Sequence, residues 1–133
     1  MKTIVYTNNK GGVTIVAPNP ELDIDYVKAK DTPEHSIIID TDDITVSDYW
    51  FDAWELVDGT VAVNFARAQE LTRTRLRAER TPLLAAQDIL FQRALETGAD
   101  TTTVVAEKNR LRAITDLVNT ASTLDELQGL SCS

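Results

Sequence analysis

Cysteine and histidine each occur once, as Cys132 and His35. A single cysteine excludes an internal disulfide and any metal site built on cysteine spacing. His35 lies in the turn-like stretch Thr32-Pro33-Glu34-His35-Ser36, with no marked nucleophile for it to activate. Glycine is scarce. Gly11-Gly12 lacks the Gly-Lys-Ser/Thr ending of a phosphate loop, and no helix follows, so the pair reads as a hairpin turn. Nothing in the spacing of the carboxylates marks a glycosidase pair. No apolar run approaches the ~18 residues of a membrane span. The opening Met1-Lys2-Thr3-Ile4-Val5-Tyr6 leads into Asn8-Asn9-Lys10-Gly11-Gly12 without the long apolar region of a signal peptide. The expectation is a chain that is not an enzyme, uses no cofactor or metal, begins near Met1 and is made in the cytoplasm.

The net charge is −8, and it is unevenly placed. Residues 1–63 hold four basic residues against twelve acidic ones, whereas residues 64–133 hold nine of each. Such a chain has no general attraction for nucleic acid. The local exception is Arg67, Arg73, Arg75, Arg77 and Arg80, offset by Glu70 and Glu79. Arg73, Arg77 and Arg80 recur at spacings of four and three and share a helix face. That face reads as solvated, or as paired with carboxylates of the acidic N-terminal part or of a partner chain. A nucleic-acid strip would carry interleaved aromatics, which are missing there.

A long helical stretch, residues 64–96, organises the remainder. Ala, Arg, Leu, Gln and Glu dominate it. Asn64 is a candidate N-cap, and Gly98 supplies the stop. Leu76, Leu83, Leu90 and Ala94 fall on one stripe, and Leu84, Phe91 and Leu95 on the next, giving a broad apolar face. Pro82 implies either a kink near Thr81 or two helices meeting there. After Gly98, Asp100 or Thr101 caps a second helix, expected over residues 102–119 and antiparallel to the first. Thr123 and Glu126 form a capping box before a short last helix, and Ser131-Cys132-Ser133 is expected to fray.

The first half reads as strands and turns. Residues 3–7 and 13–16 form a hairpin with a five-residue loop. Residues 23–30 make a two-turn helix capped by Asp23 and closed before Pro33. Ile37-Ile38-Ile39 reads as a strand that is central or buried on both faces. Asp40, Asp42 and Asp43 invite a calcium reading, but the loop positions requiring Gly and Glu hold Thr45 and Phe51, so turn chemistry is preferred. Tyr49, Trp50, Phe51 and Trp54 concentrate both tryptophans. Trp50 and Trp54 share strand parity, and the cluster either fills a small core or, if exposed, is a docking patch. Asp58-Gly59 marks a second hairpin running into the long helix. The expected architecture is α+β: a small mixed β module over residues 1–63, then a helical region over residues 64–133.

The order of several short stretches carries a resemblance. Trp50-Phe51-Asp52-Ala53-Trp54-Glu55 is followed by Val61-Ala62-Val63-Asn64 and Ala66-Arg67-Ala68-Gln69-Glu70. Then come Arg75-Leu76-Arg77-Ala78-Glu79-Arg80, Pro82-Leu83-Leu84, Phe91-Gln92-Arg93-Ala94-Leu95-Glu96 and Lys108-Asn109-Arg110-Leu111-Arg112. In this order the chain resembles a group of small tailed-bacteriophage and prophage proteins, over nearly its whole length. Ser47-Asp48-Tyr49 departs from the pattern, where a more basic turn is expected. The resemblance implies a virion protein of the tail or tail-fibre region, made in the host cytoplasm. It would act by contact with other phage structural proteins or with copies of itself, without nucleic acid or membrane. The alternative is a tail-fibre assembly chaperone absent from the mature virion. Candidate interaction residues are Trp50, Trp54, Arg73, Arg77, Arg80, Leu84, Phe91 and Leu95.

Overall fold

Thr3, Ile4 and Val5, the β-branched centre of the first strand, are buried. The computed structural model describes residues 1–133, an α+β chain that divides into two units, Met1–Ala68 and Gln69–Ser133. In the first unit β1 (Lys2–Thr7) and β2 (Val13–Val16) pair antiparallel, from Thr7 opposite Val13 to Ile4 opposite Val16. Asn8 shapes the five-residue loop, its side-chain oxygen accepting from the N–H groups of Lys10 and Gly12, both at 3.0 Å. Gly11 sits there at φ 79°. α1 (Ile24–Asp31) is capped by Asp23, which accepts from the Asp25 N–H at 3.1 Å, and it buries Val27 while packing on β1.

β3 (Ile37–Asp40) pairs antiparallel with β1, giving the order β2-β1-β3. The expectation of a central strand is thereby corrected. β1 is the central strand, and all four β3 residues are half-buried at a sheet edge. Three successive branched residues reflect strand propensity, which does not depend on having neighbours on both sides.

Asp40 caps a 3-10 turn, Thr41–Asp43, by accepting from the Asp42 N–H at 3.1 Å, which is turn chemistry. A second 3-10 helix, Asp48–Ala53, replaces the strand that the parity of Trp50 and Trp54 suggested. Ser47 drives the difference: its hydroxyl accepts from the Tyr49 N–H at 3.2 Å and starts a helical turn. β4 (Trp54–Val57) and β5 (Thr60–Val63) follow as the expected hairpin. Its turn residues Asp58 and Gly59 both have positive φ, 51° and 78°, as a two-residue primed turn requires.

α2 (Phe65–Thr97) starts at Asn64, whose side-chain oxygen accepts from the Arg67 N–H at 3.1 Å. It is one helix with Pro82 inside, not two helices meeting there. It closes at Gly98, φ 70°, where the Ala99 N–H reaches the Ala94 carbonyl at 2.9 Å. α3 (Thr102–Arg112) begins under Asp100, which accepts from the N–H and hydroxyl of Thr102 at 3.0 and 2.7 Å. It ends earlier than expected, and the chain tightens into a 3-10 helix, Ile114–Thr120, that buries Ile114 and Val118. α4 (Leu124–Gly129) is capped by Thr123, while Glu126 reaches past it to the Ser122 N–H at 2.8 Å.

The core of the second unit comprises Thr72, Leu76, Leu111, Ile114, Val118, Leu127 and Cys132. Cys132 belongs to this core, not to a frayed tail. Its thiol lies 3.4 Å from the Leu76 carbonyl, and burial pushes its pKa up.

Replacing the exposed Pro82 with Ala supplies the missing N–H for the Ala78 carbonyl and removes the ring. The Pro82→Ala variant should gain about 1–2 kcal/mol. The expected reading is a higher urea midpoint at unchanged slope.

Candidate interaction surface

Within each unit the arginines of α2 mainly serve carbonyl oxygens and side chains, and the carboxylates they pair with lie on the same helix. Arg80 donates to the Arg112 carbonyl at 3.0 Å, at the C-terminal end of α3. Arg75 donates to the Leu127 carbonyl at 3.1 Å and pairs with Glu79 on its own helix. Arg73 pairs with Glu70, also on its own helix, and donates to Asn119 Oδ1 at 2.7 Å. Outside α2, Arg110 reaches the Cys132 carbonyl at 2.8 Å. Carbonyls at helix C-termini have no intrahelical donor and carry the negative end of the helix dipole, so a guanidinium suits them. Of the three arginines singled out in the sequence, Arg77 stays exposed.

In the first unit Arg67 plays the same part. Its Nη1 donates to the Gly11 carbonyl at 2.7 Å and to that of Trp54 at 3.5 Å. A Cβ at Gly11 would lie 2.5 Å from Arg67 Nη2, so the glycine makes room for this contact. His35 bonds the Thr7 carbonyl at 3.1 Å beside a shallow cleft of about 410 Å³ next to the β1–β2 loop.

Trp50 and Trp54 are buried, and Trp54 Nε1 donates to the Ser47 carbonyl at 3.1 Å. Neither indole is available to a partner, which corrects their place among the interaction residues. Burying both rings gives a small sheet its largest apolar contribution.

α2 and α3 lie antiparallel, as contacts from Arg80 to Arg112 and from Asp88 to Lys108 fix. Along the helical hairpin, no residue between Arg77 and Arg110 is buried. Leu84, Gln87, Phe91 and Ala94 are half-buried at spacings of three and four, the period of a single seam. Lys108 covers part of that seam. Its ammonium stands 4.8 Å from the Phe91 ring centroid and 2.7 Å from Asp88. Leu83 and Leu90 flank the seam on one side, 39% and 45% exposed, and Leu95 on the other, 60% exposed, while Ile89, 53% exposed, lies on the opposite face of the helix.

The sequence stripe Leu76-Leu83-Leu90 is thus covered at its first member and bare at the next two. Of the expected interaction residues, Leu95 lies open, and Leu84 and Phe91 are partly enclosed. Leu83 and Leu90 lie on a stripe that the sequence marks as part of the broad apolar face. Ile89 lies off both stripes, so no periodic signal marked it.

Two carboxylates near this hairpin sit below the usual carboxylate range. Hydrogen bonds from Thr102, the hydroxyl first and then the N–H, favour ionised Asp100. A hydrogen bond from Arg110 does the same for Glu107.

Leu76→Ala should cost about 2–5 kcal/mol, whereas Leu90→Ser should change monomer stability by no more than about 0.5 kcal/mol. Denaturant melts of the two variants check the contrast. A carboxylate whose pKa is lowered on folding contributes stability above its unfolded pKa and loses it as pH falls through the folded one. Asp100→Asn should therefore remove part of the acid dependence of stability below about pH 4, read in thermal melts from pH 6 to pH 2.5.

Compared with protein-family models, with curated proteins and with solved structures, the chain matches none.

Proposed function

We propose that the chain is a structural or accessory subunit that works by protein–protein contact, with the distal half of α2 as its contact face. One observation carries the reading. Leu83 and Leu90, which share one stripe, are both exposed on a helix that buries no residue from Arg77 onward. Exposed apolar side chains aligned this way on a small chain are the usual mark of an interaction site. A second helix or helix pair laid along α2 would cover them and extend the seam into a bundle.

The resemblance to tailed-phage proteins supports a setting, the tail or tail-fibre apparatus of a virion. The partner there is another structural subunit or a like copy. An assembly helper that uses the same face would leave before the particle matures.

The test uses Leu83→Asp/Leu90→Asp. Both positions are exposed, so the variant should keep the wild-type circular dichroism spectrum. It should fail to enter particles or to co-sediment with particle components, while wild type appears in purified particles at a fixed stoichiometry. Unchanged incorporation of the variant would overturn the contact face, and absence of wild type from mature particles would favour the helper.

A further inference from the structure

The first unit carries an exposed aromatic feature that this contact face does not use. In Asp48–Ala53, kinked at Trp50 (φ −97°, ψ 19°), Trp50 and Ala53 are buried. Two aromatic rings, Tyr49 and Phe51, and two carboxylates, Asp48 and Asp52, face outward on the same short segment. All four residues are exposed, Tyr49 by 47% and Phe51 by 43%.

The two exposed rings are braced from beneath. Tyr49 meets buried Trp50 edge-on, with centroids 4.8 Å apart, and Phe51 leans on buried Trp54 at 4.9 Å. Trp54 is itself held through its indole N–H. A partner that lands on these rings has little side-chain motion left to freeze.

The surrounding charge selects the partner. Residues 31–66 contain nine Asp and Glu and no Lys or Arg, and Arg67, which follows, is engaged by the Gly11 and Trp54 carbonyls. Some of these are engaged: Asp40 lies by the N-terminal amine and Lys2, and Glu55 accepts from Asn64. Asp48 and Asp52 flank the rings. A guanidinium lies flat on an aromatic face while its fork pairs with a carboxylate, a geometry that an ammonium does not match. We propose that Tyr49, Phe51, Asp48 and Asp52 form a docking surface for an arginine-bearing apolar segment of another protein.

The test titrates the full chain with an eight-residue peptide of alternating Arg and Leu, and with Lys–Leu and Glu–Leu counterparts. Fluorescence of the underlying tryptophans is the readout. Saturable binding is expected for the Arg peptide, weaker binding for the Lys peptide and none for the Glu peptide. Tyr49→Ala/Phe51→Ala and Asp48→Asn/Asp52→Asn should each weaken the Arg peptide by about tenfold or more. Asp42→Asn/Asp43→Asn removes the same charge nearby and should change affinity less than about threefold. The proposal is overturned by equal weakening in that control, by no saturable response, by Lys and Arg peptides binding alike, or by a Glu peptide that binds. Self-association of the chain that Tyr49→Ala/Phe51→Ala abolishes would assign the surface to a second copy and also overturn it.

Discussion

Carbonyl oxygens at the ends of short elements need donors, and the architecture depends on arginine supplying them. Four guanidinium groups reach carbonyls distant in sequence: Arg67 to Gly11, Arg75 to Leu127, Arg80 to Arg112 and Arg110 to Cys132. A hydrogen bond from a charged donor is stronger than one between neutral groups, so each contact helps to hold a turn or helix end in its unit. The long side chain spans the gap that a short element leaves, and the planar fork serves two acceptors at once, as Arg67 and Arg75 do. The basic stretch of α2 thus has structural work to do: Arg67, Arg75 and Arg80 hold carbonyls, and Arg73 and Arg75 pair with Glu70 and Glu79.

What could be read in the sequence was local. Asn64, Asp23, Thr123 and Gly98 act through their own side chains or φ angles, and the structure uses each of them as the sequence suggested. Asp58-Gly59 fixes its hairpin in the same way. What could not be read was set by distant partners. Whether Ile37-Ile38-Ile39 is central or at an edge depends on how many strands join the sheet. The acceptors of Arg75 and Arg80 lie 52 and 32 residues away, beyond any periodicity. The aromatic cluster shows the limit most sharply. Four rings within six residues divide into buried indoles and exposed Tyr49 and Phe51, because a 3-10 turn, not a strand, carries three of them.

The candidate contact face was legible in part. Helical spacing gave the apolar stripes, and the excess of apolar width over available cover follows from counting the helices that remain. It did not reveal which stripe α3 takes. That choice rests on Lys108, a charged residue whose stem and ammonium cover Phe91 and so leave the Leu83–Leu90 side open.

The placement of the second unit's core has a consequence for how α2 opens. Its buried residues gather at Thr72 and Leu76, against Leu111, Ile114, Val118 and Leu127. Toward Gly98 the helix is held only by a half-buried seam and a few polar contacts. Backbone amides there should exchange through small local openings, whereas those near Leu76 should exchange only when the whole unit unfolds. The free energy of fastening the distal turns therefore enters any association that uses them. A substitution in the seam, at Lys108 or Phe91, would tune affinity without touching the partner, by changing how often the helix end is already closed when the partner arrives.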